Sequence, residues 1–238
     1  MNPPKKTLLI FDFDSTITDA DSFLTTTHVL NDKKVEDDIV ARVPKENWID
    51  LFNWFYDYLE KVNIPMSKVD KIYDELPITK GMIDLFDFLR QNKDKFEVLI
   101  LSAGHSYGLT HVLKHNNLLD VIDELLCSQA TVENGKIVVK QRYTHECPIC
   151  NACQCKTKEY NDYMRRKGRE NYGSVVYICD GANDVCLAKN LEHNDYLFPR
   201  KDFHLYEKLF NDGLKEKMNC KIETWKDGNE VIDLIKKI

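Results

Sequence analysis

The sequence predicts an α/β fold in which a largely parallel sheet is covered by helices on both faces. Three short apolar runs, at residues 7–13, 96–101 and 174–179, are typical of strands buried on both faces. Stretches with apolar residues at helical spacing separate these runs, and strands that alternate with helices favour a parallel sheet. The chain of 238 residues is long enough for one or two domains with a substantial apolar core.

A helical insert interrupts this alternation after the first strand. Residues 20–77 contain many helix formers and few β-branched runs. Aromatic residues recur there at helical spacing: Trp48, Phe52, Phe55 and Tyr56. We interpret these side chains as a local core rather than a ligand site. The pattern predicts a small helical cap at residues 20–77 and a main core at residues 1–19 and 78–238.

The remaining part of the chain alternates predicted helices and strands. The predicted helices span residues 81–91, 106–115, 156–169 and 231–238. The strands after the first span residues 96–101 and 174–179, and residues 196–198 are a candidate fourth. The Asn134-Gly135 pair favours a type I′ hairpin that joins residues 131–132 to residues 137–139. A cysteine-rich loop at residues 144–155 lacks any regular pattern.

Composition excludes several classes of protein. Hydrophobic residues make up 43% of the chain and charged residues 30%, which is too apolar for a disordered protein. The net charge of −6 disfavours general binding to nucleic acid or anionic membranes. We find neither a run of the ~20 apolar residues that a transmembrane helix needs nor an apolar leader segment. We therefore expect a cytoplasmic protein with reduced thiols.

Polar side chains stand at the ends of the three clearest strands. Asp12 and Asp14 follow the first, Ser102 follows the second and Asp180 follows the third. Because the carboxyl ends of parallel strands share one edge of a sheet, we expect these side chains to converge there.

Two carboxylates one residue apart suit phosphoryl transfer. Asp12 is the candidate nucleophile, which would form an aspartyl-phosphate. Asp14 is the candidate acid and base, and a neighbouring carboxylate and desolvation would raise its pKa toward neutrality. Asp180 and Asp184 are placed to complete a Mg²⁺ site with Asp12, since Mg²⁺ prefers oxygen ligands. The alternatives are a surface turn for the first pair and a helix N-cap for the second.

A phosphate group also needs hydrogen-bond donors and a cation. Ser102, Ala103 and Gly104 precede a predicted helix, where a hydroxyl and free backbone N–H groups can cradle an anion. Lys156 and Lys158, at the start of the helix at 156–169, are the two candidates for the cation.

These motifs, in this order, resemble those of the haloacid dehalogenase (HAD) phosphatase superfamily. The resemblance rests on Asp12-x-Asp14-x-Thr16, then Ser102, a lysine, and Asp180-Gly-x-x-Asp184. More narrowly, the chain resembles the phosphoethanolamine/phosphocholine and pyridoxal-phosphate phosphatases. Further residues carry that narrower likeness: Phe11, Gly81-Met82, His145-x-Cys147-x-x-Cys150, Cys155-Lys156, Val185-Cys186 and Pro199-Arg200-Lys201.

The resemblance implies a Rossmann-like core with a C1-type cap, and a role for each site residue. Asp12 is the nucleophile and a Mg²⁺ ligand, and Asp14 is the acid and base that also offers its backbone carbonyl to the metal. Asp180 anchors the metal, and Asp184 and Asn183 support metal and phosphate. Ser102 and Lys156 hold the phosphate, with Lys158 as the fallback.

Two departures from the family pattern concern the substrate. Ala103 stands where an acid often follows the serine, and Phe23 stands where another acid is expected. Apolar side chains at both positions suit a flat aromatic leaving group. The resemblance therefore favours pyridoxal 5′-phosphate, with phosphoethanolamine and phosphocholine next.

The cysteine-rich loop has the spacing of a soft-metal site. Its candidate Zn²⁺ ligands are His145, Cys147, Cys150, Cys153 and Cys155, and such a site would be structural. The alternative is a reduced loop with a few buried thiols.

The sequence thus predicts a Mg²⁺-dependent phosphatase that acts on a small phosphorylated metabolite, without nucleic-acid or membrane partners. One alternative is a non-catalytic HAD-like module that binds a phosphate ligand or a protein. The other, a zinc-knuckle nucleic-acid binder, is disfavoured by the acidic net charge. The oligomeric state stays open.

Overall fold

A seven-stranded sheet forms the centre of the protein, whose computed structural model describes residues 5–43 and 46–238. The strands are β1 Lys6–Phe11, β2 Phe96–His105, β3 Glu124–Glu133, β4 Lys136–Lys140, β5 Tyr172–Cys179, β6 Tyr196–Pro199 and β7 Lys221–Ile222. Their order is β4-β3-β2-β1-β5-β6-β7, and neighbours are parallel except β3 and β4. The predicted parallel sheet is confirmed, and β1 lies at its centre.

Helices cover both faces of the sheet, as predicted. They are α1 Ser22–Thr26, α2 Lys33–Arg42, α3 Trp48–Lys61, α4 Met66–Asp74, α5 Met82–Arg90, α6 Ser106–His115, α7 Lys156–Lys167, α8 Val185–Ala188, α9 His204–Phe210 and α10 Gly228–Ile235. Short 3₁₀ turns lie at Thr27–Leu30, Leu119–Val121, Arg169–Asn171, Ala182–Asp184 and Leu214–Lys217. Among the described residues, no helix is both long and apolar enough to cross a membrane.

The core is built on β1, whose residues Leu8, Leu9, Ile10 and Phe11 are fully buried. Alternate side chains of a strand point to opposite faces, so Leu9 and Phe11 join one apolar cluster, and Leu8 and Ile10 join the other. Burial on both faces explains why the sequence shows a continuous apolar run rather than an alternating one.

Helices α1 to α4 occupy the predicted insert, residues 20–77. Asn53 of α3 ties the insert to β4, because its side chain exchanges hydrogen bonds of 2.8 and 2.9 Å with the backbone of Val139. The division into a cap and a core stays a prediction. The first four residues of the predicted core, and residues 44–45 of the predicted insert, lie outside the described residues.

Several element boundaries differ from the prediction. β2 continues to His105 instead of ending at residue 101, because His105 still pairs with Ser128 of β3 after a break in register. The predicted hairpin is confirmed, but β3 begins at Glu124 and first pairs with β2 before it turns into the hairpin. β7 and α9 carry no clear sequence signal and were not predicted.

Candidate active site

A cavity of about 700 Å³ opens at the carboxyl edge of the sheet. Its floor contains Asp12, which follows β1, and Asp180, which follows β5. Ser102 reaches it from the end of β2, and Phe23 covers it from the insert. The expected convergence is therefore present in the structure, and the parallel strands produce it.

Three carboxylates form an acidic cluster at this floor. One oxygen from each of Asp12, Asp180 and Asp184 lies within 4.8 Å of the other two. Burial raises the pKa of Asp12 to about 7, against the opposing charge of Lys156. Burial, followed by the charge of Asp12, raises the pKa of Asp180 to about 8. A cation bound between these carboxylates would offset their mutual repulsion, so the cluster favours cation binding.

Lys156 neutralises part of this charge. It is only 1% exposed, and its Nζ lies 2.6 Å from Asp12 Oδ2 while also contacting Asp184. Although burial lowers the pKa of Lys156, the charges of Asp12 and Asp184 raise it overall, so the ammonium keeps its charge. Lys158 lies elsewhere, paired with Asp162 at 2.7 Å.

Asp184 is held on all sides. Its carboxylate accepts hydrogen bonds from Lys156, from the Tyr177 hydroxyl, and from the backbone N–H groups of Asp180 at 3.2 Å and Gly181 at 2.6 Å. A carboxylate has about four acceptor positions, so these four bonds fill them. In this arrangement Asp184 orients Lys156 and the turn after β5.

Asp14 lies beside the insert rather than in the acidic cluster. The Ser22 N–H donates to Asp14 Oδ1 at 2.8 Å. Burial, followed by the charge of Asp21, holds the pKa of Asp14 well above its ordinary range. Asp21 also lines the cavity, although the sequence analysis did not predict it as a site residue. Its position two residues before Phe23 is the sequence feature that could have indicated this.

The loop that carries both acids is fixed by an arginine at the same carboxyl edge of the sheet. Arg200, which follows β6, donates to the Ser15 carbonyl and to the Asp19 carboxylate, each at 2.6 Å. Thr16 donates to Asp180 at 3.0 Å, which joins the loops after β1 and β5.

The serine motif differs from the predicted helix-start cradle. Because β2 runs on to His105, Ser102, Ala103 and Gly104 belong to the end of a strand, and α6 begins only at Ser106. Ser102 is buried and accepts a hydrogen bond of 3.1 Å from the Gly104 N–H. All three residues still line the cavity, as does Asn183 from the turn after β5.

An aromatic wall, formed by Phe23, Trp48 and Phe52, also lines the cavity. The Phe23 ring centroid lies 4.8 Å from that of Phe52 and 5.8 Å from that of Trp48, both in edge-to-face geometry. Trp48 and Phe52 pack in the apolar core, as predicted, and one turn of α3 also places them against the cavity. Phe55 and Tyr56 are buried in the core, as predicted.

The cysteine-rich loop brings a different set of thiols together than predicted. Cys147, Cys150 and Cys155 cluster with Cys186 of α8, and their four sulfur atoms lie within 4.8 Å of one another. His145 and Cys153, the other two predicted ligands, lie outside this cluster. His145 Nε2 contacts the Asn151 carbonyl at 2.9 Å, and Cys153 Sγ points to the Ala103 carbonyl at 3.9 Å.

Comparison with solved structures identifies the fold. A phosphoserine phosphohydrolase-like protein from Francisella tularensis subsp. tularensis SCHU S4 matches with a TM-score of 0.65 and 16% identity, over 98% of this chain and 100% of that chain. The chain therefore shares the fold of that protein, and the acids that follow β1 and β5 lie at one edge of its sheet.

The chain belongs to the phosphatase family described as Putative Phosphatase, whose profile matches residues 7–238. The pyridoxal phosphate phosphatase PHOSPHO2 of Rattus norvegicus is 34% identical over 95% of this chain and 96% of that protein. The phosphoethanolamine/phosphocholine phosphatase of Gallus gallus is 27% identical over 86% of this chain and 77% of that protein. The predicted resemblance is confirmed, and the protein is a phosphoric monoester hydrolase.

Proposed function

We propose that this protein is a Mg²⁺-dependent phosphatase that transfers the phosphoryl group of a small metabolite to Asp12 and then to water. The observation that carries the proposal is the position of the Asp12 carboxylate at the floor of the cavity. Lys156 lies on one side of it, Asp180 on another, and the aromatic wall lines the same space.

The donor set fits magnesium. Asp12 and Asp180 offer carboxylate oxygens, the Asp14 backbone carbonyl is the third candidate ligand, and Asp184 and Asn183 stand beside them. Mg²⁺ prefers such oxygen ligands and keeps several waters, so few protein ligands suffice. When bound, it would supply positive charge that keeps Asp12 ionised and offsets the charge of the phosphoryl group.

The two acids divide the chemistry between them. An Asp12 oxygen forms a bond to phosphorus while the bond from phosphorus to the ester oxygen breaks. Asp14 gives its proton to the departing oxygen and later accepts a proton from the water that attacks the aspartyl-phosphate. The raised pKa of Asp14, caused by burial and by Asp21, supports the first of these roles.

Three further groups receive the phosphoryl oxygens. Ser102 and Asn183 line the cavity, and the buried Lys156 lies 2.6 Å from the Asp12 carboxylate. Positive charge and fixed donors at that point stabilise the transition state. We assign the role of phosphate-binding cation to the buried Lys156 rather than to Lys158, because the Lys156 ammonium contacts the proposed nucleophile.

We favour pyridoxal 5′-phosphate as the substrate. Phe23, Trp48 and Phe52 offer aromatic surface to a flat pyridine ring, and Ala103 adds no charge. The likeness to relatives named pyridoxal phosphate phosphatase supports the same choice. Phosphoethanolamine and phosphocholine are the second candidates. Both carry a cationic ammonium group, which a carboxylate such as Asp21 and neighbouring aromatic rings can bind.

Turnover by Asp12→Asn tests the mechanism. The amide keeps the shape of the carboxylate but cannot attack phosphorus, so hydrolysis of p-nitrophenyl phosphate with Mg²⁺ is expected to fall to background. Wild-type turnover by the folded variant would refute the assignment of Asp12 as the nucleophile. Absence of activity in the wild-type protein as well would favour the non-catalytic module.

The substrate is tested by comparing kcat/KM for pyridoxal 5′-phosphate, phosphoethanolamine, phosphocholine and thiamine monophosphate. We expect pyridoxal 5′-phosphate to be the best of the four. We also place the protein in the cytoplasm, where its eight cysteines, all free in the structure, would stay reduced.

A further inference from the structure

We propose that Cys147, Cys150, Cys155 and Cys186 bind one zinc ion as a tetrathiolate site, which we call the thiol clamp. It joins the cysteine-rich loop to helix α8 next to the active site. Neither the phosphatase reaction nor the magnesium site uses these four side chains.

The spacing of the sulfur atoms fits zinc. A regular tetrahedron with Zn–S bonds of ~2.3 Å places its ligands about 3.8 Å apart. Cys186 Sγ lies 3.4 Å from Cys147 Sγ and 3.7 Å from Cys155 Sγ, and every pair in the set lies within 4.8 Å. These separations are far longer than the ~2.05 Å of a disulfide bond. Four thiols around one point, with no bond between them, are the ligand set of a structural zinc site.

The chemistry of the chain around the clamp agrees. Cys147-x-x-Cys150 has the spacing of zinc-binding pairs, and Cys155 and Cys186 supply the second pair from the loop end and from α8. Thr157 Oγ1 lies 2.9 Å from Cys186 Sγ, so the cluster already has an outer hydrogen-bond partner.

The loop also needs such a clamp. Residues 141–155 contain no helix or strand, and many of their side chains are exposed. A segment of this length gains little from apolar burial, and a bound metal stabilises it directly. Cys155 is 6% exposed and Cys186 is 6% exposed, so half of the ligands are already buried before any metal is considered.

The clamp lies where it can position the phosphate-binding residues. Cys155 immediately precedes Lys156, and Cys186 follows Asp184 by two residues. The clamp therefore holds both chain segments whose side chains meet in the buried Lys156–Asp184 ion pair. Cys150 and Asn151 line the active-site cavity, and Asn151 donates to the Glu46 carbonyl at 2.9 Å, which links the same loop to the insert.

Metal analysis of the natively purified full chain tests the proposal. Mass spectrometry after exhaustive dialysis should find one zinc per chain, and a mercurial reagent should release it into a colorimetric zinc indicator. Cobalt in place of zinc should give the visible bands and the thiolate charge-transfer band of a tetrahedral cobalt–sulfur centre. Near-zero zinc with four reactive thiols, two disulfides in the set, or iron in place of zinc would each overturn the proposal.

Matched variants identify the ligands. Cys147→Ser and Cys186→Ser should lower the bound zinc at least tenfold, whereas Cys153→Ser and His145→Ala should keep it. Loss of zinc from the Cys153 variant, with retention in the Cys186 variant, would refute the assignment. Asp12→Asn should lose turnover but keep full zinc, which separates this proposal from the proposed reaction. If Cys186→Ser fails to fold, the wild-type metal content and the cobalt spectrum still decide.

Discussion

Replacing Lys156 by methionine removes the only side-chain cation that we find against Asp12 among the described residues. Methionine has nearly the same length, so the change deletes charge and hydrogen bonds but little volume. In the structure the Lys156 ammonium is 1% exposed and lies 2.6 Å from Asp12 while contacting Asp184. The variant therefore leaves two buried carboxylates without their shared partner.

The substitution is expected to lower both the stability of the protein and its catalytic rate. Removing one partner of a buried ion pair typically destabilises a protein by about 3–5 kcal/mol. We expect the lower end, because Lys156 opposes the upward shift in the pKa of Asp12, and Asp12 can take up a proton once the lysine is gone. Loss of one preorganised donor to the developing charge typically costs about 10²- to 10³-fold in kcat. We expect a fall of that size.

The assay combines urea unfolding with kcat for p-nitrophenyl phosphate at saturating Mg²⁺. Lys158→Met is the matched control, since its side chain is 41% exposed, pairs with Asp162 on the surface of α7 and lies over the Tyr143 ring at 4.8 Å, away from Asp12. Surface pairs contribute about 0–1 kcal/mol, so this control should keep stability and rate close to those of the wild type. The reasoning is refuted if Lys156→Met keeps the wild-type rate, or if Lys158→Met is the variant that loses it.

Three further perturbations test other parts of the structure. Phe23→Asp should lower the kcat/KM ratio of pyridoxal 5′-phosphate to phosphoethanolamine by roughly tenfold, because it exchanges an aromatic contact worth about 1 kcal/mol for an acid; an unchanged ratio would contradict the aromatic wall as a specificity element. Burial lowers the pKa of His105 to about 4. Its unfolded pKa is ~6.5, so the unfolded state binds more protons between these values, and stability falls by about 2 kcal/mol from pH 7.5 to pH 5; calorimetry should show a flatter pH profile for His105→Gln, and an equally steep one would contradict this. Gly228→Ala should destabilise the protein by about 1–3 kcal/mol, because a Cβ would lie 2.2 Å from the Gly81 carbonyl oxygen, whereas Gly173→Ala meets its nearest atom at 3.7 Å and serves as the control in thermal unfolding.

The His105 prediction depends on a buried network beneath the cavity. The Gly108 N–H donates to His105 Nδ1 at 3.3 Å, so the ring proton lies on Nε2, which contacts the Tyr56 hydroxyl at 2.8 Å. A second proton would have to bind Nδ1, where it would displace the hydrogen bond from the Gly108 N–H. The resulting charge would be buried beside Tyr56 and Tyr73. The neutral ring is therefore the form that the fold accommodates.

The local sequence predicted the features that depend on neighbours along the chain. The apolar run of β1 and the acids directly after it are enough to place Asp12 at a sheet edge. The same holds for β5 and Asp180, since a strand buried on both faces must be apolar throughout and can end only where polar side chains reach the surface or a site.

Other features lay beyond local pattern. The end of β2 at His105 follows from pairing with Ser128, a residue more than twenty positions away. The orientation of Trp48 and Phe52 toward the cavity depends on how α3 packs on its neighbours, because periodicity identifies a common helix face but not what that face meets.

The sequence by itself determined the three central strands, the order of the acidic motifs and the presence of a cysteine-rich loop, because short-range periodicity and composition encode them. Only the tertiary structure placed Lys156 beside Asp12 and Lys158 beside Asp162, brought Cys186 to three cysteines of the loop, and filled the acceptor positions of Asp184. Each of these choices depends on which segments, remote in sequence, come within bonding distance. That is a property of packing, and no local pattern of residues contains it.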